Sequence, residues 1–226
     1  MKHIALFSFA LLISSLLISQ EIAVVRDAGL WAGIGVEKRI TKDFQAEFNQ
    51  ELRLYHNCTK IDDCISDLGI DYSINRNFSI GANGRYTYNI KRDEVIENDL
   101  RYGFDMNYKA RLGLRFKLFC RARYSKEYFD AFNKISQEKL TETDFRYRLK
   151  LEYQYNGMHS LYTSGEIFRT TDKLRDPYFS KIRCFAGDEI RIQSGVLNLA
   201  IGYELQNKIS YRTSFVFMAI SYTLKL

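Results

Sequence analysis

From Leu30 to the last residue the chain alternates apolar and polar residues in short runs, and the gaps between runs are by turns short and long. Strict alternation puts one face of a strand against an apolar medium and the other against water. A rhythm of short and long gaps belongs to an up-and-down antiparallel meander. In the first clear run Leu30, Ala32, Ile34 and Val36 interleave with Trp31, Gly33, Gly35 and Glu37. In the second, Phe44, Ala46, Phe48, Leu52 and Leu54 interleave with Gln45, Glu47, Asn49, Glu51 and Arg53.

Eleven such runs are visible, at 30–37, 44–54, 68–74, 78–90, 98–108, 112–124, 145–153, 161–168, 179–192, 197–205 and 215–226. The gaps at 41–43, 75–77, 109–111, 154–158 and 193–196 are short, and those at 56–64, 91–97, 125–144 and 169–178 are long. In bacterial outer-membrane barrels short turns face the periplasm and long loops face outward, so the strand holding Trp31 runs downward. An upward strand must then precede it, and 21–25 is the sequence available. The fold class is all-β: an up-and-down antiparallel transmembrane β-barrel of about twelve strands, with ten as the alternative.

The start of the chain agrees. Met1, Lys2 and His3 precede an apolar run over 4–18 that ends at Ser19 and Gln20. A positive start and a short apolar core read as a secretory signal peptide over 1–20, leaving a single barrel domain over 21–226. The run falls short of the roughly 20 residues a spanning helix needs. Sixteen Tyr, sixteen Phe and the single Pro177 favour strands, and 33 basic against 27 acidic residues are too evenly mixed for a nucleic-acid binder. A mean hydropathy of -0.29 excludes a helical membrane protein but suits a barrel, in which alternate residues meet lipid. Aromatics fall in two bands: Phe44, Tyr72, Phe78, Tyr108, Tyr153 and Tyr222 toward the short turns, and Tyr55, Tyr86, Tyr88, Tyr124, Tyr147 and Phe215 toward the long loops.

The polar face carries the chemistry. Arg115, Lys117, Arg121 and Arg123 share a face of one strand, and Asp144, Arg146, Arg148, Lys150 and Glu152 share a face of the next. At mid-depth in hydrocarbon each charge costs roughly 2 to 4 kcal/mol, so these rows point into a lumen. If the three-residue turns set the registers, Asp67 meets Arg85, Asp105 meets Arg115, Asp99 meets Arg121, and Glu37 meets Glu47, a like-charge contact that calls for a cationic neighbour. With Glu51, these residues make up a lumen charge network. It either fills the barrel with ion pairs or, through its cationic excess, receives an anion or a lipid headgroup. Gly33, Gly35, Gly81 and Gly103 leave room on this face.

Cys58 and Cys64 fall in one expected external loop, where a disulfide staple is the first reading and a metal site with His56, Asp62 and Asp63 the alternative. Cys120 and Cys184 fall on apolar strand faces as thiols. The stretch 125–139 spaces Tyr128, Phe129 and Phe132 at nearly helical intervals, which reads as an amphipathic loop helix or a hairpin extension, and as a contact surface for a protein partner in either case. His159 and Ser160 are adjacent, and adjacent strand residues point to opposite faces, so they do not make a catalytic pair. No motif calls for a cofactor or a metal, and no catalytic residue is assigned.

The run from Gly29 to Arg53, with its tryptophan in the first clear strand, basic turn and following amphipathic strand, resembles the opening hairpin of a bacterial family of unknown function. That family is common in Bacteroidetes and its members are taken as outer-membrane barrels. The C-terminal Tyr222-Thr-Leu-Lys-Leu226 is similar to the terminal strand signal read by the barrel-assembly machinery, although that signal usually ends in an aromatic residue. The resemblance implies the outer membrane, with its lipids and that machinery as partners, and it supplies no site residues.

The expected function is a structural or partner-binding barrel with a charged, largely filled lumen. The alternatives are a narrow pore or lipid/solute conduit and, behind it, a lipid-modifying enzyme. A soluble periplasmic barrel turned inside out would satisfy the alternation equally well.

Overall fold

In the computed structural model, described over residues 24–90, 95–131, 141–172, 175–207 and 212–226, the chain forms one closed barrel of eleven strands. In chain order these are β1 (Val24–Arg39), β2 (Phe44–Tyr55), β3 (Lys60–Ser73), β4 (Phe78–Ile90), β5 (Ile96–Leu112), β6 (Phe116–Tyr128), β7 (Thr141–Gln154), β8 (His159–Asp172), β9 (Arg175–Ile192), β10 (Gly195–Asn207) and β11 (Arg212–Lys225). Sequence neighbours pair antiparallel throughout.

The count is one short of twelve, and closure shows why this matters. With an odd number of alternating strands the first and last run in the same direction, so the seam between them is parallel: β1 pairs with β11 from Val24 and Arg212 down to Glu37 and Lys225. No upward strand precedes β1 among the described residues. Of the expected first strand at 21–25, Val24 and Val25 belong to β1, and 21–23 lie outside the described residues.

Alternation sorts the residues onto two faces. Outward stand Ile34, Phe48, Leu68, Phe104, Leu149, Ile201 and Met218, each between 47% and 66% exposed. Inward stand the buried Asp105, Arg123, Arg146, Glu152, Glu166, Arg183 and Glu204. The outward apolar residues begin at the 40–43, 74–77, 113–115, 155–158 and 193–194 turns and on β5 reach Ile96 at the loop end. Along β10 they span Leu197 to Leu205, a height of about 20–25 Å for a tilted strand.

Cross-strand aromatic pairs ring the lower end: Phe44 opposite Tyr72, Phe78 opposite Tyr108, and Phe116 opposite Tyr153 with ring centroids 5.0 Å apart. Tyr124 and Phe145 pair at 5.3 Å farther up. Tyr55 and Phe215 do not join that upper band; both turn inward and line the lumen.

Three of the tight turns carry their own caps, Asn156 Oδ1 accepting from Met158 N and His159 N in the 155–158 turn. Thr41 Oγ1 accepts from Phe44 N at 3.0 Å, and Asn75 Oδ1 accepts from Asn77 N and Phe78 N at 2.9 Å. These fix the registers of the flanking hairpins. Asp67 is opposite Arg85, and Glu37 is opposite Glu47 with Lys225 Nζ 3.5 Å from Glu37 as its cationic neighbour.

The β5–β6 hairpin differs from the expectation. Its strands continue through 109–112 and the chain reverses around Gly113, whose φ of 83° suits glycine. The later turn slides the register, so Asp105 meets Arg123 rather than Arg115, Arg121 meets Asn107, and Asp99 meets Thr87 on β4.

Several expected loops prove to be strand. The 56–64 gap shrinks to a turn at 56–59, in which His56, Asn57 and Cys58 have φ of 53°, 55° and 65°. Asp27 holds that turn by accepting from His56 N at 3.1 Å and Asn57 N at 3.2 Å. The 169–178 gap contains the ends of β8 and β9, with register shifts beside Arg169 and between Thr170 and Asp172. In the stretch expected as a loop helix, residues 125–128 extend β6, which is the hairpin alternative. Phe132 and the rest of that stretch through 139 lie outside the described residues.

Candidate functional site

Among the described residues the fold gathers its buried charges in the lumen. The inward rows of β2 to β10 converge on three levels of ion pairs. On the lower level Lys117 Nζ donates to Glu152 Oε1 at 2.6 Å, and Lys150 Nζ to Glu189 Oε1 at 2.5 Å.

At mid-height Arg123 forks onto Asp105, with Nε to Oδ1 and Nη2 to Oδ2 both at 2.5 Å. Arg121 Nη2 donates to Glu166 at 3.1 Å, and Arg183 Nε donates to Glu204 at 2.6 Å while its Nη1 lies 3.6 Å from Glu166. Above them Arg53 Nε donates to Glu51 at 2.5 Å, Arg85 Nε donates to Asp67 at 2.7 Å, and Lys181 lies 3.6 Å from Glu204. Forked arginine–carboxylate pairs of this kind are charge-assisted and geometrically specific.

Aromatic rings pack into the same level. Trp31, 7% exposed, stacks on Phe217 with centroids 3.7 Å apart and meets Phe185 edge-on at 6.2 Å. The guanidinium carbons of Arg53 and Arg183 lie 4.0 and 4.8 Å from the Trp31 ring centre, and Arg146 lies 4.5 Å over Phe168. Ring faces attract cations, so the arginines are shared between carboxylates and rings.

Two cavities lie along the lumen. Toward the loop end a vestibule of about 1080 Å³ is walled by residues such as Tyr55, Arg101, Phe129, Arg146, Lys181 and Phe215, with Trp31, Arg53 and Arg183 of this layer also in its wall. Below it a pocket of about 480 Å³ is walled by residues such as Asn77, Lys109, Phe119, Arg121, Arg148 and Lys150. The two share no wall residue. The inward glycines give no open space: Asn49 covers Gly35, Asp71 lies over Gly81, and Asn83 over Gly103.

Of the charges assigned to the lumen, Glu47, Glu51, Asp67, Arg85, Asp99, Asp105, Lys117, Arg121, Arg123, Arg146, Arg148 and Lys150 are on the inward face. Arg115 is not. It lies in the β5–β6 turn, exposed, and donates to Tyr153 Oη at 3.2 Å. Asp99 accepts from Asp130 N at 3.0 Å and helps hold the β6 end. At the rim, above the apolar band, Glu127, Glu142 and Asp172 fall opposite one another on β6, β7 and β8. Burial, with Asp144 and Glu127 nearby, pushes the Glu142 carboxyl up to about 7.

Phe129 lines the vestibule, whereas Tyr128 packs its ring against Tyr102 at 6.2 Å. All four cysteines are free thiols. The expected Cys58–Cys64 staple is not formed: Cys58 is in the turn, whereas Cys64 is inside β3 opposite Leu52, its Sγ accepting from Gln50 Nε2 at 3.2 Å. No group of His, Cys, Asp and Glu among the described residues is placed to hold a metal. His159 pairs with Asp188 at 2.6 Å, while Ser160 is buried and faces the other way.

The lumen residues not assigned to a site from the sequence are Phe168, Phe185 and Phe217, the charges Glu166, Arg183 and Glu204, and Trp31, which reads in the sequence only as a mark of its strand. They are scattered over β1, β8, β9, β10 and β11, one or two to a strand face, a weaker signal than the dense rows of β6 and β7. No curated protein and no solved structure matches the chain. A family model described as "Protein of unknown function (DUF2490)" matches residues 28–213, and the chain belongs to that family of β-barrel proteins.

Proposed function

We propose that this protein is an outer-membrane β-barrel of structural or partner-binding type, its lumen closed by the ion-paired aromatic layer around Trp31. The observation that carries the reading is the sorting of faces: exposed Ile34, Leu68, Phe104 and Ile201 girdle the outside while charges fill the inside. A band about 25 Å tall, edged by aromatics, is what a bilayer core requires. In a barrel turned inside out for water these same rows would be interior.

Under this reading residues 1–20 act as an export signal. Residues 21–226 are inserted by the barrel-assembly machinery, lipids contact the outer band, and a protein partner meets the loop end around Tyr128, Phe129 and Phe132. The separation of vestibule from lower pocket favours a plugged lumen over a conduit.

Heat-modifiable gel mobility of detergent-extracted protein, followed by single-channel recording of wild type and Trp31→Ala, tests this. The expected result is a mobility shift, a silent wild type, and conductance once the ring is removed. Wild-type conductance would establish the pore instead. Extraction without detergent would refute the membrane reading.

A further inference from the structure

Four lumen arginines are satisfied by carboxylates at close range: Arg53 by Glu51, Arg85 by Asp67, Arg123 by Asp105 and Arg183 by Glu204. Two in the vestibule are not. The nearest carboxylate to Arg101 is Glu127 at 3.7 Å, and to Arg146 is Asp144 at 3.9 Å, both beyond hydrogen-bond length. Arg101 Nη2 and Arg146 Nε donate to nothing, although the side chains are only 10% and 8% exposed and both line the vestibule wall. Buried donors of this kind are costly to leave unmade.

Their surroundings compound the excess. Arg101 stands between Arg85 and Glu127 on the flanking strands, and Arg146 is directly opposite Arg123, so each has a like charge across from it, while Asp67 and Asp105 already serve Arg85 and Arg123. On β6, between the two strands, Ser125 is 1% exposed and its Oγ also lacks a partner. Phe168 covers the face of the Arg146 guanidinium at 4.5 Å, which leaves the group's edge for an acceptor.

We infer that Arg101 and Arg146 form the floor of an anion site that takes an oxyanion: a carboxylate, a sulfate, or a phosphate, free or on a lipid headgroup. A planar or tetrahedral oxyanion offers the acceptors that two arginine edges need. The inference requires the barrel and its vestibule but not a particular cellular location. Glu127, Glu142 and Asp144 stand toward the rim, so the site favours a small anion over a polyanion.

The test uses Trp31, the only tryptophan and itself in the vestibule wall, as reporter. The full chain, folded in neutral detergent, is titrated with sodium phosphate, sulfate or acetate at ionic strength held constant with chloride. A saturable fluorescence change is expected. R101Q and R146Q should each weaken it about ten-fold, the value of one hydrogen bond to a charged group. R191Q, at the exposed lower mouth, should leave it unchanged.

R146K, which keeps the charge and removes Nε, should weaken binding to a similar degree and covers the case in which a glutamine variant fails the heat-modifiability check of folding. Saturation by anionic lipid in mixed micelles, with no response to the free ions, would assign the site to a headgroup. The absence of saturation by any of these probes, or equal titrations of wild type, R101Q and R146Q, would overturn the inference.

Discussion

Removing the carboxylate of Asp105 should damage this barrel more than any change on its rim. Asp105 and Arg123 have side chains only 8% and 9% exposed and are joined by two hydrogen bonds of 2.5 Å. D105N leaves Arg123 buried with Arg146 opposite it on the next strand, and an uncompensated buried charge costs about 3–5 kcal/mol. R123M strands the aspartate at a similar cost. The double change D105N/R123M removes both charges together, so it should lose far less than the sum, with a coupling of about 2–3 kcal/mol. Equilibrium urea unfolding in lipid vesicles, followed by Trp31 fluorescence, measures all four corners of the cycle. Additive losses, with coupling under about 0.5 kcal/mol, would refute the pairing. Coupling of Asp105 to Arg115 instead would restore the register that a turn at 109–111 implies.

Further outcomes follow from other parts of the fold. Ile201 is 63% exposed at mid-strand on the outer face, so I201R should cost about 2–4 kcal/mol in vesicle refolding, against about 0.5 kcal/mol if that face met water. Cys58 holds a left-handed φ of 65°, and C58G should raise stability by about 1 kcal/mol in the same assay. Burial raises the Glu142 carboxyl to about 7, so the folded chain keeps this proton after the unfolded chain has released it. Stability should therefore fall between about pH 4 and pH 7. E142Q should exceed wild type at pH 8 and match it near pH 4, and equal pH profiles for the two proteins would contradict this.

The sequence disclosed which side of each strand faces which medium, because alternation survives wherever one face meets an apolar environment. It also disclosed registers where a capped turn sits at the break in the pattern, as at Thr41 and Asn75. It misplaced the β5–β6 turn because Lys109 and Arg111 look like loop residues, although they continue the inward row, and Gly113, which makes the reversal, stands among ordinary residues. The stretches 56–64 and 169–178 look like loops for a related reason. Beyond the apolar band both faces of a strand are polar, so the pattern that marks a strand vanishes while the ladder continues through Lys60 and Thr170. Strand parity was hidden as well. Nothing in β1 or β11 marks a parallel seam, because pairing direction is settled by closure and not by side-chain pattern. The plug around Trp31 assembles from β1, β8, β9 and β11, and no local stretch of sequence records that convergence.

Whether the outer face of the barrel meets lipid is read by a nitroxide scan along β10 in lipid vesicles, following collision with oxygen and with a water-soluble nickel chelate at each position from 197 to 205. A membrane-embedded β10 gives a period of two, with Leu197, Leu199, Ile201, Tyr203 and Leu205 open to oxygen and closed to the chelate. Asn198, Ala200, Gly202 and Glu204 should be closed to oxygen. Free access of the chelate to the Ile201 side of the strand, or loss of the two-residue period, would contradict a membrane-embedded barrel with a filled interior.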